Sequence, residues 1–222
     1  MNRLDDILQD IPKDSCLGKA VTAGYNVLFE AETQKGPGVP QAERIDSDSV
    51  RIGDQIWMSH NLQMPADPEN GIYVENGETY FTWNAAMKAA SSYGNGWRLP
   101  SREDLKKLSD FCGGDSVAGQ HLKSTSGWSN GQYNENGDDT YGFNAIPAGE
   151  CSPYRYQGKI LSTKIYGNKL SFAGSRAYIW SSTQESPKYA YYRGLGCWDA
   201  TFDEYSGDKD SSGYSVRLVK PA

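Results

Sequence analysis

The clearest alternation of apolar and polar positions lies at the two ends of the stretch that follows Ser49. Two short runs, Val50-Arg51-Ile52 and Gln55-Ile56-Trp57-Met58, flank Gly53-Asp54, and this pattern predicts a hairpin. Near the end of the chain, the alternation over residues 214–219 predicts a final strand. We expect the strands from the two ends to pair within one domain.

Two stretches in the first half of the chain have helical spacing. The first covers about residues 83–92, with Thr82 as its expected N-cap. In the second, Ser101 and Asp104 have the spacing of a capping box, and the helix is expected to end before Gly113-Gly114. Beyond these glycines, turn residues separate short aromatic runs, and no further helix is predicted.

These elements predict an α+β domain with two helices, short antiparallel strands and long ordered loops over residues 49–222. Residues 1–48 form a separate N-terminal segment, because Gly36-Pro37-Gly38-Val39-Pro40 should break any regular element. This segment is either an assembly or anchoring arm or an extension that packs on the domain. Ordered loops as long as those predicted here are more often functional than incidental.

Composition and charge exclude several classes of partner. The 222 residues include 24 Gly, 15 Tyr and 6 Trp, a mixture that suits loops with aromatic anchors. The net charge is -6 and the basic residues are scattered, so nucleic acid is not an expected partner. No window has the roughly 18–20 apolar residues that cross a bilayer, and the N-terminus lacks the apolar core of a secretory signal. We therefore expect no membrane insertion and no export by the general secretory route.

The cysteine and histidine pattern offers little for a metal or for catalysis. The 4 cysteines are far apart and form no Cys-x-x-Cys pair, so zinc is not expected. They are either buried reduced thiols, which the lack of a signal favours, or two disulfides. No hydrolase elbow, phosphate loop or His-Glu-x-x-His motif occurs, and His60 and His121 are expected to be solvated or at the core edge. We therefore predict that the chain is not an enzyme and has no cofactor.

A set of sequence blocks begins at the predicted hairpin and continues to the end of the chain. The first two are Ile52-Gly53-Asp54-Gln55-Ile56-Trp57-Met58 and Gly96-Trp97-Arg98-Leu99-Pro100-Ser101. The later ones are Tyr80 to Ala90, Leu122-Lys123-Ser124 with Trp128, residues 139–149, Trp180-Ser181-Ser182-Thr183 and Gly213-Tyr214-Ser215-Val216-Arg217. In this order the blocks resemble the Fibrobacter succinogenes major paralogous domain family. The resemblance covers about residues 50–220 and leaves the N-terminal segment outside.

The resemblance implies a C-type-lectin-like fold related to formylglycine-generating enzymes and to the variable proteins of diversity-generating retroelements. In those variable proteins, C-terminal residues are diversified for ligand binding, which is a hypothesis for this chain. The oxidase chemistry is not carried over, because it relies on a pair of reactive cysteines and the late part of this chain has only Cys197. Trp57, Trp97 and Trp180 are expected to be core anchors, and Arg98 to hold a carboxylate or carbonyl inside the fold.

The segment of residues 185–212 is expected to carry the binding surface. It is rich in Tyr, Trp, Asp and Arg, which supply contact area at low rotamer cost and charged hydrogen bonds. The residues expected to contact a ligand are Tyr189, Tyr191, Tyr192, Arg193, Trp198, Asp199, Asp203, Tyr205 and Asp208. In the alternative interpretation the aromatic residues fill a loop-rich core, which is our expectation for Phe202 and stays open for Trp198.

The aspartates of the same segment raise the question of calcium. Asp199, Asp203, Asp208 and Asp210 provide hard oxygen atoms within a short span. The resemblance to C-type lectins does not extend to their calcium-dependent sugar site, because no Glu-Pro-Asn or Gln-Pro-Asp triplet is present. We therefore predict no metal site.

The sequence thus predicts a non-enzymatic, ligand-binding protein that recognises a receptor through a C-terminal surface open to hypervariation. The alternatives are a glycan-binding module or a fixed surface adhesin. The expected partner is a protein or glycan on a cell surface, with homo-oligomerisation or virion attachment through the N-terminal segment. The expected location is a phage virion, in association with its tail, or a bacterial cell surface.

Overall fold

The chain folds mainly as short β-strands. The computed structural model describes residues 42–129, 131–133, 135–153, 155–156, 159–160 and 168–222. The strands within these residues are β1 Glu43–Arg44, β2 Ser49–Ile52, β3 Gln55–Met58, β4 Ile72–Glu75, β5 Glu78–Phe81, β6 Glu150–Pro153, β7 Arg155–Tyr156, β8 Lys159–Ile160, β9 Asn168–Ser171, β10 Arg176–Gln184, β11 Tyr189–Gly196, β12 Asp203–Asp208 and β13 Val219–Pro221. The α-helices there are α1 Trp83–Tyr93, α2 Arg102–Phe111 and α3 Ala118–Leu122, and a 3-10 turn covers Pro68–Asn70.

The strands form small antiparallel sheets. The largest described sheet has the order β1-β2-β3-β13, and a second sheet has the order β10-β11-β12. Two-stranded sheets are formed by β4 with β5, β6 with β9, and β7 with β8. In the largest sheet β13 pairs with β3, and Val219 lies opposite Trp57. The two ends of the domain therefore pair, as expected, but the final strand covers Val219–Pro221 and not the predicted residues 214–219, of which Tyr214 and Ser215 form isolated bridges.

The predicted α+β class, a C-type-lectin-like domain with two helices and long irregular loops, is wrong. The structure consists of small antiparallel sheets with three short helices. The two predicted helices are present as α1 and α2, and α3 is an additional one. Strands β10, β11 and β12 occupy the part of the chain that was expected to be irregular. Gly194 and Gly196 belong to β11. Because glycine usually weakens a strand, the local sequence does not predict β11.

Helix α2 begins with the capping box that the sequence predicts. The Ser101 hydroxyl accepts a hydrogen bond from the Asp104 amide, and the Asp104 carboxylate accepts one from the Ser101 amide. The same carboxylate pairs with Arg98 and accepts a 3.0 Å hydrogen bond from Gln55 of β3. Burial opposes ionisation, but the hydrogen bonds from Arg98 and Ser101 outweigh it and lower the pKa of Asp104 to about 2. The carboxylate thus fixes α2 beside the largest sheet. Arg98 holds a carboxylate as expected, but its own side chain is 48% exposed and does not lie inside the fold.

The three described cysteines are free and buried: Cys112, Cys151 and Cys197. Burial raises the pKa of the Cys112 and Cys151 thiols to about 12, so both are protonated at neutral pH. The predicted reduced, buried state therefore holds for these three. Cys16 lies outside the described residues, together with most of the N-terminal segment 1–48, whose predicted role stays a prediction.

A buried arginine joins distant segments near the largest sheet. Arg217 is 0% exposed, and its guanidinium donates hydrogen bonds to the Asn61 side chain and to the carbonyls of Met58, Phe143 and Asn144. Burial lowers the pKa of this group, but the four acceptors favour the charged form. Arg217 therefore ties the final segment of the chain to two loops that are remote in sequence.

A buried lysine joins distant segments at the sheet β10-β11-β12. The Lys123 side chain is 0% exposed, and its Nζ donates to the carbonyls of Glu135, Gly196 and Asp199 at 2.8, 3.1 and 2.7 Å. Its three ammonium protons thus have three backbone acceptors. Gly196 ends β11 and Asp199 lies in the turn that follows it, so Lys123 fixes the path of the chain where it leaves the strand.

Candidate ligand-binding cleft

The sheet β10-β11-β12 sorts the predicted binding residues onto two faces. Tyr192 of β11 lies opposite Trp180 of β10 and Tyr205 of β12. Residues directly opposite each other in antiparallel strands have their side chains on the same face, and neighbours along a strand alternate. Tyr192 and Tyr205 therefore share one face, which we call the aromatic face, while Tyr191 and Arg193 belong to the other.

A cleft of about 190 Å³ opens on the aromatic face. Five of the predicted residues line it: Tyr192, Trp198, Asp199, Asp203 and Tyr205. Residues outside the prediction complete the lining, notably Arg176, Tyr178, Gly194, Gly196 and Thr201. The structure thus brings together just over half of the predicted site and adds one face of the preceding strand, β10.

The tyrosines of the cleft have different environments. Tyr192 packs against Tyr178, Tyr205 and Tyr214, with ring centroids at 5.6, 5.6 and 4.7 Å. Burial raises the pKa of Tyr192 to about 12. Tyr205 is 50% exposed and is the outermost of these rings. Tyr192 therefore supports the cleft wall, whereas Tyr205 presents an aromatic surface to the solvent.

Two glycines of β11 form the floor of the cleft. A Cβ atom on Gly194 would lie 3.3 Å from a carbon of the Tyr205 ring, and one on Gly196 would lie 2.5 Å from the Trp198 indole. Both rings can therefore lie close over the β11 backbone only because these two positions lack side chains. The glycines that weaken the strand signal in the sequence are thus required by the shape of the cleft.

A hydroxyl organises the acidic edge of the cleft. The Thr201 Oγ1 lies 2.9 Å from Asp199 Oδ1 and 2.7 Å from Asp203 Oδ2, and the Tyr205 hydroxyl lies 3.3 Å from the same oxygen of Asp203. Within the described residues, Asp199 Oδ2 and Asp203 Oδ1 accept no hydrogen bond. Each carboxylate is thus held through one oxygen and keeps the other available.

Arg176 forms the opposite edge of the cleft. Its guanidinium lies between two aromatic rings, 4.6 Å from the Phe172 centroid and 4.7 Å from the Trp198 centroid. Its Nη1 donates a 3.3 Å hydrogen bond to the Tyr178 hydroxyl, and its buried Nε has no acceptor among the described residues. Phe172 is 48% exposed and has a φ of 62°, a left-handed conformation that is rare for an aromatic residue.

The other four predicted residues lie outside the cleft. Tyr189 lies opposite Asp208 near the tip of the β10–β11 hairpin. Tyr191, on the far face, packs against Arg102, whose Cζ lies 4.4 Å from the ring centroid. Arg193 is 2% exposed and forms a 2.9 Å ion pair with Asp115, so it is part of the interior. Phe202 is fully buried, as expected.

The residues that the sequence analysis missed precede the segment on which it concentrated. Arg176, Tyr178 and Trp180 occupy alternate positions of β10. A period of two places such residues on one face of a strand, so this alternation could have added Arg176 and Tyr178 to the predicted site. Trp180 lies on the same strand but is fully buried, so it belongs to the core.

The described residues contain no group of three or more His, Cys, Asp and Glu side chains that could hold a metal ion. His60 is exposed, and His121 is half-buried with its Nδ1 3.1 Å from Asp138. In the same part of the chain, none of the helices has the length and apolar character to cross a bilayer.

The described residues define a small, mainly β domain with an aromatic recess on the sheet β10-β11-β12. Residues 50–220 match the family described as the Fibrobacter succinogenes major domain, and the chain belongs to this family. No curated protein and no solved structure matches the chain.

Proposed function

We propose that this protein is a non-enzymatic ligand-binding protein that recognises a receptor on a cell surface through the aromatic cleft. The observation that carries the proposal is the exposed Tyr205 ring above a glycine floor, flanked by Arg176 on one side and Asp203 on the other. Tyrosine, arginine and tryptophan are the side chains that contribute most to binding energy in interfaces. Packing of the protein core does not require this combination of side chains at the surface.

The polar groups of the cleft support the same proposal. Asp199 and Asp203 each keep one carboxylate oxygen without a partner among the described residues, and the Arg176 guanidinium donates one hydrogen bond there, from Nη1 to the Tyr178 hydroxyl. Polar groups held rigidly by neighbours but left unsatisfied are typical of binding sites, because a ligand can replace the water that they contact. The arrangement offers a ligand both donors and acceptors.

Diversification of the cleft, as in the variable proteins of diversity-generating retroelements, is a finer part of the proposal. Within residues 185–212, Asp199, Asp203 and Tyr205 line the cleft, whereas Arg193 and Phe202 are buried. Changes at the first three alter ligand contacts at small cost to the fold, while changes at the buried pair destabilise it. A fixed surface adhesin is the alternative.

Sequencing the end of the gene across many cells or particles of the source population tests diversification. We expect substitutions to concentrate at Asp199, Asp203 and Tyr205 and to avoid Arg193 and Phe202, and the substituted codons to correspond to adenines in a nearby template copy. An invariant segment would contradict diversification and leave the fixed adhesin. The binding proposal itself does not depend on this result.

A glycan-binding module is the second candidate, and the size of the cleft favours it. A cleft of about 190 Å³ is smaller than the ~300–1,000 Å³ of most sites for drug-sized molecules. It therefore accommodates one ring or one side chain of a larger receptor. The N-terminal segment 1–48 is proposed to attach the domain to a phage tail or a bacterial surface.

Replacing Tyr205 by alanine tests the function directly. Labelled protein is incubated with a panel of intact bacterial strains, and bound label is measured by flow cytometry. We expect the wild type to label at least one strain and Tyr205→Ala to bind it about thirty-fold more weakly, which corresponds to the ~2 kcal/mol of a binding hot spot.

Tyr93→Ala is the matched control, because Tyr93 is 46% exposed on α1 and does not line the cleft. It should bind like the wild type. Failure of the wild type to label any strain, or equal labelling by Tyr205→Ala and the wild type, would contradict the proposal. Thermal melting of both variants checks that the folded fraction is unchanged.

A further inference from the structure

We propose that the cleft binds a neutral sugar ring directly, without a metal ion, with Arg176 donating to its hydroxyl oxygens and Asp199 and Asp203 accepting from its hydroxyl groups. This inference rests on the proposed ligand-binding function and specifies the chemistry of the ligand. It follows from the placement of one unpaired cation and two half-satisfied carboxylates around an exposed aromatic ring.

Among the described residues, Arg176 differs from three other arginines because it has no carboxylate partner. Arg98, Arg102 and Arg193 each form an ion pair with a carboxylate. Arg176 forms no such pair with a described residue, and its one hydrogen bond is to the Tyr178 hydroxyl. Stacking on two rings fixes the plane of its guanidinium while leaving donors uncommitted. A ligand oxygen is the partner that this geometry lacks.

The two aspartates complement Arg176 across the floor. Arg176 lies opposite Gly196, and Asp203 lies opposite Gly194, so the two side chains flank β11 from the neighbouring strands. Two strand spacings across the sheet and an offset of two residues along it separate their backbones by about 12 Å. Because Gly194 and Gly196 have no side chains, the Tyr205 and Trp198 rings lie close over this part of β11, and a ligand between the donor edge and the acceptor edge would rest on these rings.

The mixed charge of the cleft selects among ligand classes. A carboxylate would satisfy Arg176 but would be repelled by Asp199 and Asp203, while an ammonium group would satisfy the aspartates and be repelled by Arg176. A hydroxyl both donates and accepts, so a ring with several hydroxyls satisfies all three residues at once. Its C–H face can pack on the exposed Tyr205 ring, whose π face carries partial negative charge.

A glycan array printed with neutral, acidic and amino-sugar glycans tests this assignment in the presence of EDTA. We expect binding to at least one neutral glycan, equal with and without the chelator. Asp203→Asn, which removes the charge at nearly constant shape, and Arg176→Gln, which removes the charge together with the stacked guanidinium, should each bind that glycan at least ten-fold more weakly. Asp208→Asn is the matched control, because Asp208 lies on the same strand but outside the cleft.

The variants must remain folded for this comparison, so thermal melting accompanies it, and Asp199→Asn provides a second acceptor variant if Asp203→Asn unfolds. Binding confined to acidic or amino-sugar glycans, binding abolished by EDTA, no binding to any glycan, or full affinity in the folded cleft variants would overturn the inference.

Cell labelling separates the failure of this inference from the failure of the proposed function. If the receptor is a glycan, periodate oxidation of the cells, which cleaves vicinal diols, should abolish Tyr205-dependent labelling. If protease treatment abolishes it and periodate does not, the receptor is a protein: the sugar assignment is overturned and the binding function stands. Labelling that does not depend on Tyr205 would remove both.

Discussion

Replacing Arg217 by methionine is expected to lower the free energy of unfolding by about 3–5 kcal/mol, because several buried acceptors lose their donor at once. The guanidinium is fully buried and bonds to the Asn61 side chain and to three backbone carbonyls. Methionine fills much of the volume but donates no hydrogen bond. For a domain whose total stability is typically about 5–15 kcal/mol, such a loss removes a large part of it.

Chemical denaturation monitored by circular dichroism measures this effect. Arg51→Met is the control, since Arg51 is exposed and its side chain donates one 3.3 Å hydrogen bond, to the Gly53 carbonyl. The control should change the unfolding free energy by less than about 0.5 kcal/mol. A loss of under 1 kcal/mol in Arg217→Met would show that water or a rearranged loop can replace the guanidinium.

Replacing Lys123 by methionine is expected to cost about 2–4 kcal/mol and also to weaken ligand binding, because three carbonyls lose their donor. Two of these carbonyls, on Gly196 at the end of β11 and on Asp199 in the turn that follows, lie on either side of Trp198 in the sequence. Without the ammonium group the turn can move, and both the Trp198 wall and the Asp199 edge of the cleft lose their position. Lys123 is thus a positioning residue for the cleft.

Denaturation and cell labelling at a temperature where the protein is folded measure the two effects separately. Lys107→Met is the control, because the Lys107 side chain is about half exposed and lies 3.5 Å from the exposed Asp54 carboxylate. Lys123→Arg should partly restore binding, since it keeps a donor under the turn. Full binding by a destabilised Lys123→Met would limit the residue to a role in stability.

The elements that the sequence predicted well have strong local signals. The β2–β3 hairpin surrounds Gly53, whose φ is 65°, and α2 begins with the Ser101 capping box. Helix α3 has no comparable signal: it has five residues and no side-chain cap. Its Gly119 lies so close to the Thr201 carbonyl that a Cβ would be 2.2 Å from the oxygen. That helix depends on tertiary packing, which a local pattern cannot express.

The sequence predicted only part of the cleft, because the rest depends on strand pairing and tertiary contacts. Composition located the tyrosine-rich segment, but the period of two in a strand separates Tyr191 from Tyr192, and only a known strand register tells which faces the cleft. Arg193 looked like a binding residue because its carboxylate partner, Asp115, is remote in sequence. Arg176 was missed because it belongs to the preceding strand, which composition alone does not connect to the segment.

The sheet β1-β2-β3-β13 also determines how this domain can be attached to other proteins. Glu43, Arg51, Ile56 and Lys220 lie in one row across the four strands. Because each neighbouring pair is antiparallel, the chain enters β1 and leaves β13 at the same end of the strands, three strand spacings or about 14 Å apart. A domain with such adjacent ends can be inserted into a surface loop of a carrier protein without forcing that loop open. The domain therefore has a geometry that suits insertion as well as terminal fusion.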